Sequence, residues 1–370
     1  MRTHLVAPSS LHSHPAASLI PDMRPDEWAE FYRDVAFRGI KVPLEILADG
    51  TVLDGRHRLK AALELTLPTV PVVDAVLGNL SPERYMLKAA YLRRHLTDGQ
   101  RAAMSVLDAD EHKEKPGPKS GVAAQRRAAT DRHEGVTRAE AIREARITRR
   151  QYDTANKLRH GAPELFDKVH RGELDLRMAS RKATTDATRE RLGNLPLVDG
   201  QFLTLVADPP WPFDNTGSRG AAADHYPSLS IEAIAALEVA DRPVKDLAPE
   251  EAGHLYLWTP SSFLAEGIAA RIARAWGFEP KCVLTWVKPQ VGVGNWFRGA
   301  SEHVLFCVRG NLPLATREAL STWFMADRQE HSQKPDEFYH LVERASPGPR
   351  LELFARRHRE GWEAWGDELT

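Results

Sequence analysis

The stretch "LTLVADPPWPFDN", residues 203 to 215, sets a carboxylate, two prolines and an indole directly behind an apolar run. Asp208 falls where a strand should emerge, and the carboxyl ends of strands are where α/β sheets place their ligands. Proline has no N–H, and Pro209 also holds Asp208 extended. Asp208, Pro209 and Pro210 therefore present a carboxylate and main-chain carbonyls, a cradle of acceptors, with Trp211 expected to add a flat apolar face beside it. Such a cradle suits an exocyclic amino group on a planar ring, adenine N6 or cytosine N4. Drawing that amine towards tetrahedral geometry frees its lone pair for attack on an electrophile, with no covalent enzyme intermediate. Zinc-dependent deamination competes for the same amine, but it needs an HxE together with a PCxxC, and no PCxxC occurs. Amino methylation is the chemistry left.

Further blocks follow in order: "DHYPSLS", "LYLWTP", "VLTWVKP", "GVGNWFRGASEHVLFCVRG", "HSQKPDEFYHLVERASPG" and "RLELFARRHREGWEAWG". With DPPW at their head, they resemble the DPPW-type adenine N6-methyltransferases of the MT-A family over about residues 200 to 368. The resemblance implies S-adenosylmethionine as methyl donor and a Rossmann-like sheet, with the catalytic strand ahead of the cofactor strand. It implies catalytic positions at Asp208, Pro209, Pro210 and Trp211, with Asp208 also facing the cofactor. It puts His225 and Tyr226 on a loop closing over the target base, and Lys288, Arg298 and Glu302 on the substrate side. The alternative for Lys288 is a solvated strand end, and for Arg298 and Glu302 a surface ion pair. Lys334, just before Pro335 at the expected first position of a helix, is expected to hold the methionine carboxylate with that helix's N-terminus. Glu352, Phe354, Arg356 and His358 match the block lining the cofactor's sugar and tail. Where many amino-methyltransferases have a glycine-rich loop, this chain has "FARRHREG", so its cofactor contacts fall more on side chains. Trp258 and Trp286, flanked by apolar strand residues, are expected in the core.

The elements that must position these groups follow from composition. From about residue 197, strand-like runs alternate with helices, the pattern of an α/β sheet covered on its faces. The expected organisation is a ParB-like α+β domain over 1–100 and a helical module over 101–190, with a charged linker at 111–135. A Rossmann-like domain follows over 197–370. In the helical module, Thr137 with Glu140 and Thr148 with Gln151 form two capping-box patterns, and Gly161 stands where the second helix should stop. Tyr152, Ala155 and Leu158 share one face of that helix, while Arg149, Arg150, Gln151, Asn156 and Lys157 point largely away. Two short helices of this kind suit a helix-turn-helix reading a major groove, and an ordinary helical hairpin is the plain alternative.

Nearer the N-terminus, "KVPLEIL" and "TVLD" read as strands joined by a turn at Asp49-Gly50. The following "DGRHRL" puts Arg56, His57 and Arg58 at a helix N-terminus, a place suited to an anion. This stretch, with "HPAASLIPDM" and "LRRHLTDGQRAAM", resembles the ParB/sulfiredoxin-like domain, which includes DNA-partition proteins. "ITRRQYDTANKLRHGAPELFDKVHRGELDLRMA" resembles the helical DNA-binding part of the same proteins. An Asn usual ahead of the paired arginines is absent from Ala89-Ala90-Tyr91-Leu92-Arg93-Arg94, which points to docking on nucleic acid rather than nucleotide hydrolysis.

The 370 residues carry a formal net charge of -1, which argues against a uniformly basic coat. Two well-separated cysteines, Cys282 and Cys307, fit a reducing compartment and inert core thiols, and no CxxC or HExxH marks a metal site. No apolar run approaches membrane-spanning length, so the expectation is a soluble, cytoplasmic protein. The reading that emerges is S-adenosylmethionine-dependent adenine N6 methylation of DNA. RNA as substrate, or a DNA-binding regulator with an inactive methyltransferase half, are the alternatives. DNA is the expected partner, and a homodimer is compatible with these residues without being specified by them.

Overall fold

A computed structural model describes residues 3–92, 96–111, 137–196, 198–212, 228–290, 292, 297–328 and 333–369. His225, Tyr226 and almost all of the expected linker lie outside the described residues. The chain divides into two compact units, Met1–Ala183 and Thr184–Thr370.

The first unit opens with β1 (His4–Val6), β2 (His12–Ser13), α1 (Pro25–Arg38), β3 (Leu44–Ile46), β4 (Thr51–Asp54), α2 (Arg56–Glu64) and β5 (Val70–Asp74). Its sheet runs β1-β5-β3-β4-β2. The β3–β4 turn sits at Asp49-Gly50 as expected. Gly50 has φ +88°, where a Cβ would meet the Ser10 carbonyl oxygen at 2.9 Å, and Asp49 Oδ1 accepts from the Thr51 amide at 2.9 Å. Gly55 then turns the chain into α2 with φ +107°.

The arginines expected to face an anion there have protein partners instead. Arg56 donates to the carbonyls of Ala17, Ile20 and Pro21 at 2.6–2.9 Å, and to Asp22. Arg58 donates to the Val42 and Pro43 carbonyls and to Asp54. Both guanidinium groups thus serve as internal ties for neighbouring backbone.

Next come α3 (Pro82–Tyr91), α4 (Asp98–Glu111), α5 (Arg138–Ala145), α6 (Arg149–Gly161), α7 (Pro163–His170) and α8 (Leu176–Gly193). Both capping boxes form, and α6 stops at Gly161. Tyr152, Ala155 and Leu158 are buried against Ala102, Val106, Phe166 and Val169. The helices share a core with the sheet region: Leu53, Met86, Leu87 and Tyr91 pack with Met104 and Ala145. Arg84 on α3 also bridges Asp108 on α4 at 2.5 Å and Glu144 on α5 at 2.6 Å. That common core joins the sheet region and the helices within Met1–Ala183.

The second unit holds β6 (Thr204–Ala207), α9 (Ile231–Ala235), a small hairpin of β7 (Glu238–Val239) and β8 (Arg242–Pro243), β9 (Ala252–Thr259), α10 (Ser261–Ala265) and α11 (Ile268–Ala275). It continues with β10 (Glu279–Val287), β11 (Ser301–Gly310), β12 (Trp323–Met325), α12 (Asp336–Ala345), β13 (Arg350–Leu353) and β14 (Glu363–Trp365). Seven strands form one sheet in the order β12-β10-β11-β9-β6-β13-β14, with β11 alone antiparallel to the rest. Alternate residues feed opposite faces. Leu205, Ala207, Leu255 and Leu257 pack with Ile272 and Ala273 of α11, while Val206, Tyr256, Trp258 and Trp286 pack with Phe338 and Val342 of α12. Trp258 and Trp286 are core residues, as expected.

The chain leaves β6 towards β9 on one side and returns through β13 on the other. The gap between β6 and β13 is therefore a topological switch point, where such sheets bind ligands. Their register pairs Leu353 with Ala207, which brings Asp208 and Phe354 side by side just past the strand ends.

Candidate active site

Asp208 caps the carboxyl end of β6, and its carboxylate meets the Lys334 ammonium at 3.0 Å. Lys334 also reaches Glu302 Oε2 at 3.1 Å, and Glu302 Oε1 accepts from Lys288. Three strand ends and the approach to α12 thereby assemble an alternating row, Asp208–Lys334–Glu302–Lys288. The two ammonium groups sit over buried indoles, Lys334 Nζ 4.5 Å from the Trp258 ring centre and Lys288 Nζ 4.5 Å from that of Trp286. Cation–π contact in a desolvated setting supports both charges.

Burial opposes the charged form of Lys334, but Asp208 and Glu302 outweigh it and hold its pKa above the ordinary lysine value. Burial likewise pushes the Glu302 carboxyl up, but Lys334 and Lys288 overcome this and leave it below the usual carboxylate range. Each charge is stabilised by its neighbours in the row.

The sequence expectations fare unequally. Lys288 is 9% exposed and paired, so it is no solvated strand end. Arg298 is exposed, and no Arg298–Glu302 pair forms among the described residues, because Glu302 is taken by the two lysines. Lys334 stands ahead of α12, with Pro335 as the N-cap rather than the first helical residue. Its ammonium is engaged by the Asp208 and Glu302 carboxylates.

Trp211 corrects a further expectation. It is 4% exposed, donates its indole N–H to the Trp258 carbonyl at 3.0 Å, and packs on Phe263 with ring centres 5.3 Å apart. The indole braces the loop from inside the core and offers no open face for stacking. The Pro209 carbonyl accepts from the Trp211 amide and the Pro210 carbonyl from the Leu229 amide, both at 2.8 Å. The acceptor of the cradle with its chemistry still on display is the Asp208 carboxylate.

On the other side of the switch point, Glu352 lies near the end of β13. Burial raises its pKa, and Tyr339 of α12 donates to it at 2.5 Å. Phe354 adopts φ +62°, a left-handed conformation rare for a bulky residue, and its ring packs edge-on against Trp365. The strand thus ends at Leu353, two residues before the Ala355 amide donates to the Trp365 carbonyl. Arg356 pairs with Glu368 at 3.2 Å, and His358 is exposed.

Sequence reasoning missed Tyr339, Asp336 and Arg359. Arg359 stacks over the Tyr339 ring at 3.8 Å, and Arg357 and Arg359 both donate to Asp336. The only signal in the sequence was the arginine run itself, placed just after the Glu352 block.

In the first unit, Arg149 and Lys157 of α6 are exposed, and Arg149 lies 3.8 Å from Asp153. Asn156 is half-buried. Gln151 departs from the groove-reading expectation: its amide oxygen completes the Thr148 capping box and its nitrogen donates to Asp98 at 3.1 Å.

A parallel-dominated sheet with an acidic Pro-Pro turn at its switch point and a half-buried carboxylate on the adjacent strand is the arrangement of a Rossmann-like, methyltransferase-type domain. Residues 202–368 form an MT-A70 domain, matching that family's model along their length. The same region is 31% identical over 183 residues to a probable N(6)-adenosine-methyltransferase MT-A70-like protein of Oryza sativa subsp. japonica, covering 46% of this chain and 23% of that protein. It is 30% identical over 183 residues to the human N(6)-adenosine-methyltransferase catalytic subunit METTL3, covering 46% of this chain and 28% of that subunit. It is 26% identical over 190 residues to the type II methyltransferase M.MunI of Mycoplasma sp, covering 46% of this chain and 78% of that enzyme. The match thus spans about a quarter of the length of the first two of these relatives. Among the described residues, no helix is long and apolar enough to cross a membrane.

Proposed function

We propose that the protein is an S-adenosylmethionine-dependent methyltransferase acting on N6 of adenine in DNA. The observation that carries this reading is the placement of Asp208 at the tip of β6, beside the end of β13 at the switch point, with Lys334 gripping its carboxylate.

The residues fit the cofactor's chemistry. Glu352 offers a half-buried carboxylate at the strand next to the catalytic one, the position from which an acidic side chain accepts ribose hydroxyls. Arg356 and His358 supply polar groups past the break at Phe354. S-adenosylmethionine would supply an electrophilic methyl group there. Asp208 would accept an N–H of the adenine amine and fix the direction of its lone pair. Lys334 holds the Asp208 carboxylate in place, and Glu302 with Lys288 holds Lys334. Catalysis on this reading is chiefly positioning, worth many orders of magnitude in effective concentration. The target base must leave its helical stack, at a cost of about a few kcal/mol.

DNA is favoured over RNA by the first unit, whose capped helix pair turns Arg149, Arg150 and Lys157 away from its own core. The likeness to M.MunI, which spans most of that enzyme, points the same way. RNA remains the competing substrate, given the adenosine methyltransferases among the relatives. Matched DNA and RNA oligonucleotides, presented singly to one purified preparation with S-adenosylmethionine, separate the two. Methyl incorporation into RNA alone would overturn the DNA assignment.

A further inference from the structure

We infer that Tyr339 is a positioning residue for cofactor capture, orienting the Glu352 carboxylate so that its second oxygen is presented as an acceptor to the ribose diol. The inference rests on the proposed S-adenosylmethionine reading and assigns the ribose end of that site a supporting side chain.

Tyr339 Oη donates to Glu352 Oε1 at 2.5 Å, which fixes one carboxylate oxygen and leaves Oε2 to accept from a ligand. The phenol is itself held rigidly. Its ring is 3% exposed, meets Phe338 and Trp362 edge-on at 5.3 and 5.6 Å, and is covered by the Arg359 guanidinium at 3.8 Å. Arg359 is in turn fixed by Asp336, which also takes Arg357. Asp336 and Tyr339 lie one turn apart on α12, and Lys334 precedes that helix by two residues. The first turn of α12 therefore supports both halves of the site, Asp208 through Lys334 and Glu352 through Tyr339.

The hydrogen bond also governs protonation. Burial raises the Glu352 pKa, the Tyr339 hydrogen bond and Arg359 draw it down, Asp208 from the end of β6 pushes it up, and Arg357 draws it down again. Removing the hydroxyl leaves burial less opposed, so the carboxyl takes up a proton at a higher pH and stops accepting from the ribose.

The test is calorimetric binding of S-adenosylmethionine to the full chain between about pH 6 and pH 9, for wild type, Tyr339→Phe, Asp336→Asn and Glu352→Gln. Tyr339→Phe should weaken binding about 10-fold near neutrality. The pH at which affinity falls should move up relative to wild type. Asp336→Asn, at an exposed position, should give a smaller loss in the same direction by unseating Arg359, and it carries the test if Tyr339→Phe does not fold. Glu352→Gln should bind weakly at every pH. Wild-type affinity in Tyr339→Phe, or a loss that does not vary with pH, overturns the inference. Wild type that binds no S-adenosylmethionine overturns the cofactor reading, and this inference falls with it.

Discussion

Lys334→Met is the perturbation that most directly probes the charge row. The replacement keeps length and apolar contact with Trp258 but removes the cation shared by Asp208 and Glu302. Breaking a fully buried pair costs about 3–5 kcal/mol. The two carboxylate side chains retain 28% and 37% exposure, so solvent screens part of their repulsion, and ~2 kcal/mol is the better expectation. For a unit the size of Thr184–Thr370, that corresponds to a Tm lower by about 4–8 °C. The pH dependence distinguishes charge from packing. In the wild type the Glu302 pKa lies below its ordinary value, so its contribution is present above about pH 4.3 and is lost as pH falls through the folded value. In the variant, burial is opposed by Lys288 without Lys334, so the folded pKa moves up from its wild-type position and protonation relieves the strain as pH falls. The difference in Tm between the two proteins, followed by scanning calorimetry, should therefore narrow between pH 7 and about pH 5. A gap that stays constant over that range would mean Lys334 matters only as a space-filler, and the charge-row argument would be refuted.

Other consequences are independent of that row. His254 is buried, bonded to Ser346 Oγ at 2.7 Å and to the Leu312 carbonyl at 3.0 Å, and burial lowers its pKa. Its contribution to stability is thus present above about pH 6.5 and is lost as pH falls through the lower folded value. Thermal melts should show wild-type Tm falling below pH 6.5 more steeply than that of His254→Gln; parallel curves would contradict this. On α6, the triple change Arg149→Ala, Arg150→Ala and Lys157→Ala should weaken duplex binding about 10- to 100-fold and reduce the salt slope by roughly 2–3. An unchanged slope in a binding titration against salt would remove α6 from the nucleic-acid interface.

Much of the scaffold was legible because its signals are local. The apolar runs before Asp208, Thr259 and Lys288 became β6, β9 and β10, and the two Thr-x-x-Glu/Gln patterns became capping boxes with the spacing they imply. Edge strands were not legible: β12 and β14 have three residues each, too few to show alternation. Site partners escaped for a different reason. Lys288, Glu302, Lys334 and Asp208 meet only through sheet register and the return of the chain ahead of α12, so a surface pair of Glu302 with Arg298 stayed open as the alternative. Residue type alone also misassigned roles. Arg56 and Arg58 look like anion ligands, yet they satisfy backbone carbonyls, and Trp211 looks like a stacking platform, yet its N–H anchors it to Trp258. In each case a long side chain found a buried partner distant in sequence.

The central claim is that the Asp208 carboxylate directs an adenine amine towards a methyl donor. Its most direct test uses S-adenosylmethionine with a deuterated methyl group, adenine-containing duplex DNA, and nucleoside mass spectrometry on wild type and Asp208→Ala. The labelled methyl should appear on adenine N6 with the wild type and be absent with the variant, while the variant still binds the cofactor. Labelled N6-methyladenine formed at near wild-type rate by Asp208→Ala would contradict the account.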